Sequence, residues 1–165
     1  MIKLTDIAVS IKPKIYVSRQ LMYGKTKRLN SVKIAKALIE ETLPIFSKLL
    51  NIPKDLTFRL TRFKASHSGR YNDNSHVVSI DPNYQWDRLL ETLAHELVHA
   101  EQYHEGRLES LFVPKNGWMY QWNGELNKNK GTTYSSYRKQ PWEQEAFGRQ
   151  KSLADQVCKI LDKSR

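Results

Sequence analysis

Residues 81–106 read DPNYQWDRLLETLAHELVHAEQYHEG, and the rest of the 165-residue chain can be read outward from them. Trp86, Leu89, Leu90, Leu93 and Leu97 recur at helical spacing and form one apolar stripe. Asp87 is the expected N-cap and Gly106 the expected residue just past the C-terminus. At about 100° per residue, His95 and His99 fall on the side opposite the leucines. The segment is therefore expected to be an amphipathic helix that packs on its leucines and turns two histidines away from the core.

His95-Glu96-Leu97-Val98-His99 is an H-E-x-x-H sequence. Residues four apart on a helix are neighbours, so both imidazoles can reach one metal ion. Glu96 turns towards the same mouth, where a carboxylate can take a proton from water and later deliver it to a leaving amine. Zinc suits two nitrogens and one further hard ligand, with a position left open for water. A third ligand is required. His104 lies about 140° round the helix from His99 and does not face the same ion. The long zincin pattern needs a histidine six residues after the second one, and that position is Glu105. Glu143 and Glu145 remain, in the segment PWEQEA that opens the last helix. They are about 200° apart on a helix, so only one of them can face the metal. The other serves as a favourable charge in a helix first turn.

Outward from this helix, LTFRLTRF (56–63) alternates apolar and polar residues, and HVVSID (76–81) is a second strand. The two are expected to pair antiparallel, with the loop KASHSGRYNDNS between them. Upstream, KIYVS (14–18) is strand-like. A helix is expected over residues 32–50, capped by Ser31, with Ala35, Leu38, Ile39, Leu43, Phe46 and Leu50 inward and Pro44 inside it. Downstream, Trp118, Trp122 and Leu126 have helical spacing, TTYSSYRKQ (132–140) reads as a polar connector, and Pro141 opens a final helix. That helix should turn Ala146, Leu153, Val157, Ile160 and Leu161 inward.

Composition bounds the function classes. At 39% apolar and 27% charged residues the chain is globular and not disordered. No run approaches the roughly 18 apolar residues of a membrane span, and no signal peptide is visible. The single cysteine, Cys158, forms no internal disulfide and excludes a cysteine-based zinc finger; it is expected to be a small buried hydrophobe. A cytoplasmic protein without a membrane partner is expected. The net charge is +10, and it is uneven: +8 over residues 1–36, −3 over 37–126 and +5 over 127–165. Such an excess favours an acidic partner such as nucleic acid, with Lys25, Lys27 and Arg28 as the densest candidate phosphate contacts. Trp118, Tyr120, Trp122 and Trp142 could pack, line a groove or stack on bases. His67 and His76 flank the loop between the strands.

HELVHAEQYHEG resembles the active-site helix of SprT-like zinc metallopeptidases, the group that includes the Spartan proteases of DNA–protein crosslinks. The order helix, two strands with an intervening Gly69 and a late Ile80, then active-site helix fits that family, and NGWMYQW is similar to its downstream segment. The cover is roughly residues 32–130. Where the family pattern has a third histidine ligand, this chain has Asn116, a poor zinc ligand. Pro141-Trp142-Glu143-Gln144-Glu145-Ala146 is similar to the downstream glutamate segment of other HExxH peptidases, including the ImmA/IrrE-like and ArdC-like groups. There the glutamate three before the alanine binds metal, which here is Glu143, with Glu145 as the alternative.

Together these readings imply a single α+β, zincin-like domain over residues 1–165. It comprises a basic arm (1–31), a SprT-like core (32–130) with a small antiparallel sheet on the active-site helix, and a C-terminal helix segment (131–165). They imply a zinc metallopeptidase with Zn²⁺ on His95, His99 and Glu143. Glu96 is its catalytic base and Tyr137 its oxyanion donor. Its partners are a protein substrate and DNA or a DNA-bound protein. The alternative is a nucleic-acid-binding protein on the same scaffold, with structural zinc or lost proteolysis.

Overall fold

The alternating strands near the middle of the chain build a sheet that carries one long, almost wholly buried helix. In the computed structural model, which describes residues 13–22, 26–63, 67–127 and 133–163, the fold is α+β. In chain order the elements are β1 (Lys14–Val17), α1 (Arg19–Met22), α2 (Thr26–Leu49), β2 (Thr57–Leu60), β3 (Gly69–Asn72) and β4 (Val77–Ile80). They continue with α3 (Trp86–His104), β5 (Leu108–Val113), β6 (Gly117–Trp122), β7 (Glu125–Asn127), α4 (Tyr134–Arg138) and α5 (Pro141–Asp162).

The main sheet is mixed, not antiparallel as expected, with strand order β1-β2-β4-β3. β1, β2 and β4 run parallel, and β3 pairs antiparallel with β4 alone. The expected antiparallel pairing of 56–63 with 76–81 is thus corrected: Thr57 lies beside Val77 in a parallel register. The polar stretch GRYN, taken from sequence as loop, is the strand that forms the hairpin with β4. It carries no alternating apolar pattern because it sits at the sheet edge, where backbone hydrogen bonds define the strand. The connection from β1 to β2 runs through α1 and α2, as a parallel crossover requires.

Phe58, Leu60, Val78 and Ile80 alternate onto one face of this sheet and are buried. They join Leu38, Ile39, Leu43 and Phe46 of α2 and Leu89, Leu90, Leu93 and Leu97 of α3 in one core. The inward face expected for 32–50 is the observed one. The helix itself starts earlier, at Thr26, so Ser31 lies inside it and does not cap it, and the expected boundary at residue 31 falls within α2.

α3 is buried on nearly all sides from Leu89 to Gln102, since its second face is covered by α5. Its N-cap is Gln85, with Asp87 in the first turn, not at the cap. Its end is as expected. Gly106 has φ +68, its N–H bonds to Tyr103 O (3.1 Å), and Arg107 N–H reaches Gln102 O (2.9 Å). This pair of bonds is the Schellman closure, in which a glycine takes the left-handed position.

The segment with Trp118, Trp122 and Leu126 is not helical. It folds into an antiparallel sheet, β5-β6-β7. A four-residue spacing is also even, so Trp118 and Trp122 share one face of β6. The overlooked signal is Asn123-Gly124, both at positive φ (50° and 84°), which closes the two-residue hairpin between β6 and β7. The polar connector contains α4, closed by a capping box between Thr133 and Ser136. In α5, Ala146, Leu153 and Val157 are buried, whereas Ile160, Leu161 and Cys158 only partly are. Among the described residues, no helix is long and apolar enough to cross a membrane.

Leu93 of α3 is fully buried in the core. Leu93→Ala should lower unfolding stability by about 2–5 kcal/mol. Urea denaturation should register this as a lower midpoint with an unchanged slope.

Candidate metal centre

Two helices meet at the site. α3 supplies His95 and His99 one turn apart, and the first turn of α5 supplies Glu143. Pro141 at the start of α5 has the fixed φ that a first helical position needs, and the helix dipole there favours an anion. The Nε2 atoms of His95 and His99 are 3.1 Å apart. Glu143 Oε2 lies 3.4 Å from His95 Nε2, and Oε1 lies 3.3 Å from His99 Nε2. All three residues are buried, at 7%, 8% and 3% exposure. Tetrahedral zinc with bonds of about 2.0–2.1 Å separates its ligand atoms by about 3.3 Å, which these spacings match.

The donor chemistry also fits a cation. His95 Nδ1 faces Gln150 Oε1 at 3.0 Å, and His99 Nδ1 faces Gln102 Oε1 at 2.8 Å. An amide oxygen only accepts, so each Nδ1 must carry the proton. The orientation of Gln102 follows from its other bonds: its Nε2 donates to Trp142 O (3.0 Å) and to Glu145 Oε2 (3.3 Å). In the neutral rings both Nε2 atoms then hold lone pairs aimed at one another and at a carboxylate. Among the described residues Glu143 Oε2 has no hydrogen-bond partner. Such a set of buried acceptors needs a positive charge in its midst, and His95, His99 and Glu143 form a group that could hold a metal ion.

Electrostatics agree. Burial opposes the Glu143 anion, but its closeness to His95, His99 and the Tyr137 phenol outweighs this and holds its carboxyl down at about 2. Burial also opposes a charged His99, yet Glu143 and Glu96 raise its pKa overall. Glu96 is buried beside the pair, and burial pushes its carboxyl pKa up against the opposing pull of His99 and His95. The backbone N–H of Tyr71 bonds to it. Gly69 on β3 makes room for it. A Cβ at Gly69 would lie 2.7 Å from Glu96 Oε1 and 2.7 Å from Thr92 Cγ2, so any side chain there would displace the carboxylate.

A cavity of about 540 Å³ opens beside His95 and Glu96, with Gly69, Tyr137, Arg138 and Phe147 also in its walls. Tyr137, carried by α4, bonds to Glu143 through its phenol. Burial, then the Glu143 and Glu96 charges, push its pKa well above the ordinary tyrosine value, so it remains a proton donor. Tyr134 on the same helix is exposed.

Glu145, the alternative ligand, is not brought to the cluster. It points away, as the helical angle requires, and pairs with Arg107 Nη1 (2.6 Å) and Arg149 Nη1 (2.7 Å). Arg149 and Arg107 also contact the buried Glu101, whose Oε1 accepts the Asn51 N–H at 3.2 Å. Glu145 thereby anchors Gln102, which orients His99. Asn116 lies in the β5–β6 turn, with its N–H on Val113 O (3.0 Å), outside the cluster. His67 lines the cavity, and His76 pairs with Asp55 (2.9 Å) away from it. Lys25 lies outside the described residues, and the backbones of Lys27 and Arg28 fall in the first turn of α2.

Sequence reasoning missed Gln102 and Gln150. Gln102 carried a signal, since three residues beyond a helical histidine is neighbouring surface. Gln150 carried none, because only the docking of α5 brings it to His95.

Gln102→Met should keep the fold but weaken metal affinity about 10–100-fold, read by competition with a chromogenic chelator. A second expectation concerns pH. The Glu96 pKa is raised on folding, so its ionisation opposes the folded state increasingly as pH rises above its unfolded value near 4.5. Metal-free Glu96→Gln should therefore melt at a higher temperature than metal-free wild type at pH 8, with the difference shrinking towards pH 4.

No family model, curated protein or solved structure matches this chain.

Proposed function

We propose that this protein is a zinc-dependent metallopeptidase with a SprT-like, zincin-like domain and a glutamate as its third ligand. The observation that carries the reading is the convergence of His95 Nε2, His99 Nε2 and the Glu143 carboxylate within 3.4 Å of one another, with the buried Glu96 beside them. His95, His99 and Glu143 would hold the ion. When bound, zinc supplies a Lewis acid that polarises a peptide carbonyl and acidifies water.

The chain's own residues do the rest. Glu96, with its raised carboxyl pKa, accepts the proton of the attacking water at a carboxylate oxygen and returns it to the departing amine. Tyr137 keeps its phenol proton, and by swinging that O–H from Glu143 to the carbonyl oxygen it donates a hydrogen bond as negative charge develops there. Gln102 and Gln150 hold the imidazoles in the tautomer that leaves Nε2 free. β3 is an edge strand, and Gly69 lies in the cavity wall. An extended peptide can add to such an edge through its backbone, which favours a peptide over a small-molecule substrate.

A second reading, a nucleic-acid-binding protein on the same scaffold, is favoured by the net charge of +10 and by exposed Phe112 and Trp118, whose rings lie 5.8 Å apart. It predicts DNA binding that falls steeply with salt and is indifferent to Glu96.

Incubation of zinc-loaded protein with an unfolded protein or a peptide library, read by mass spectrometry, separates the two. Wild type should cut. Glu96→Gln should lose at least about a hundredfold in rate and still hold one zinc, whereas His95→Ala should lose the metal. Full activity in Glu96→Gln would refute the hydrolytic mechanism.

A further inference from the structure

Among the described residues, two arginines in the wall of the metal centre's cavity, Arg88 and Arg138, form no ion pair. Arg107 and Arg149 are taken up by Glu101, Glu105 and Glu145. Among the described residues Arg138 forms no ion pair. Its guanidinium lies 4.0 Å over the Phe147 ring and 5.9 Å from the Tyr134 ring, and its Nη1 donates to Tyr134 Oη at 3.2 Å. Phe147 in turn packs 4.5 Å from the His95 imidazole. Aromatic rings thus position the cation, and of the five N–H donors of a guanidinium one is used on Tyr134 Oη. It lines the same cavity as His95 and Glu96. Of these two arginines Arg138 is the one whose aromatic seat, Phe147, packs on His95, whereas Arg88 lies 5.5 Å from the Tyr84 ring.

A planar guanidinium positioned by stacking, with open donors beside a hydrolytic centre, is built for a carboxylate, which it can take with two parallel hydrogen bonds. We propose that Arg138 is a specificity-determining residue that receives a carboxylate of the peptide substrate. That carboxylate is an Asp or Glu side chain near the scissile bond, or the chain's own C-terminus. The inference rests on the metallopeptidase reading and names its substrate class. A peptide is favoured over a nucleic-acid phosphate because Arg138 lines the cavity of the metal centre together with His95 and Glu96.

The test uses zinc-loaded full-length Glu96→Gln, with and without Arg138→Gln or Arg138→Glu. Fluorescence anisotropy is measured against paired peptides that differ only as Glu against Gln, or as free against amidated C-terminus. Cleavage of the same pairs by otherwise wild-type protein and by each Arg138 variant gives the kcat/KM ratios. With Arg138 present, the acidic member of one pair should be preferred by about tenfold or more. Arg138→Gln should bring that ratio near one, and Arg138→Glu should take it below one, in favour of the neutral member. The pair that discriminates identifies the source of the carboxylate.

A preference below twofold, a preference that survives Arg138→Gln, or no peptide binding at all would overturn the proposal. So would an oligonucleotide that binds through Arg138 in place of the acidic peptide. An Arg138-dependent binding preference without cleavage by wild type would retain the carboxylate site and reject the peptidase reading.

Discussion

Three buried acceptors held against one another would repel, and the centre of this molecule is organised around that constraint. His95 Nε2, His99 Nε2 and the Glu143 carboxylate converge within 3.4 Å. Nothing within a single helix could produce this. It requires α5 to close over the second face of α3, and that closure is made by apolar burial and by polar ties together. Ala146, Leu153 and Val157 join the core, while Gln102 bonds both the Trp142 carbonyl and His99. The charged belt of Glu101, Arg107, Glu145 and Arg149 then encloses Gln102 from outside. A histidine tautomer is thus set by a glutamine, and the glutamine by a carboxylate and a backbone carbonyl.

The sheet contributes by proximity. β3 runs along the edge beside α3, and only a glycine at position 69 allows the approach that leaves room for Glu96. The same closeness removes Glu96 from water and raises its carboxyl pKa. Under the proposed function, stability is given up here for a base stronger than a solvated carboxylate, a common compromise at functional sites. The opposite wall, built by α4 and α5, brings the Tyr137 phenol to Glu143 and the stacked Arg138 to the cavity.

Much of this was legible beforehand, for reasons that differ by element. The inward faces of α2, α3 and α5 follow a 3.6-residue period that any reader can count. The hairpin β6–β7 was equally legible through Asn123-Gly124, but the even spacing of Trp118 and Trp122 suits a strand as well as a helix. β3 was not legible, because an edge strand needs no apolar alternation. The parallel course of β2 and β4 follows from where β3 inserts, which is a matter of topology. Glu143 and Glu145 could be ranked only by resemblance to other HExxH segments. In the structure one faces the histidines and the other faces two arginines.

From the sequence alone came whatever depends on neighbours a few residues apart: the leucine stripe of α3, the pairing of His95 with His99, the Schellman closure at Gly106, and the rule that only one of two glutamates can face a given point. These are consequences of helix geometry, which is local. The tertiary structure alone decided that Glu143 meets the histidines, that Gln102 and Gln150 hold their tautomers, that Gly69 shelters Glu96, and that Arg138 reaches the cavity wall over Phe147. Each of those depends on how separate elements pack. Packing is settled by the whole core at once, because burial and hydrogen bonding are satisfied between elements and not within them.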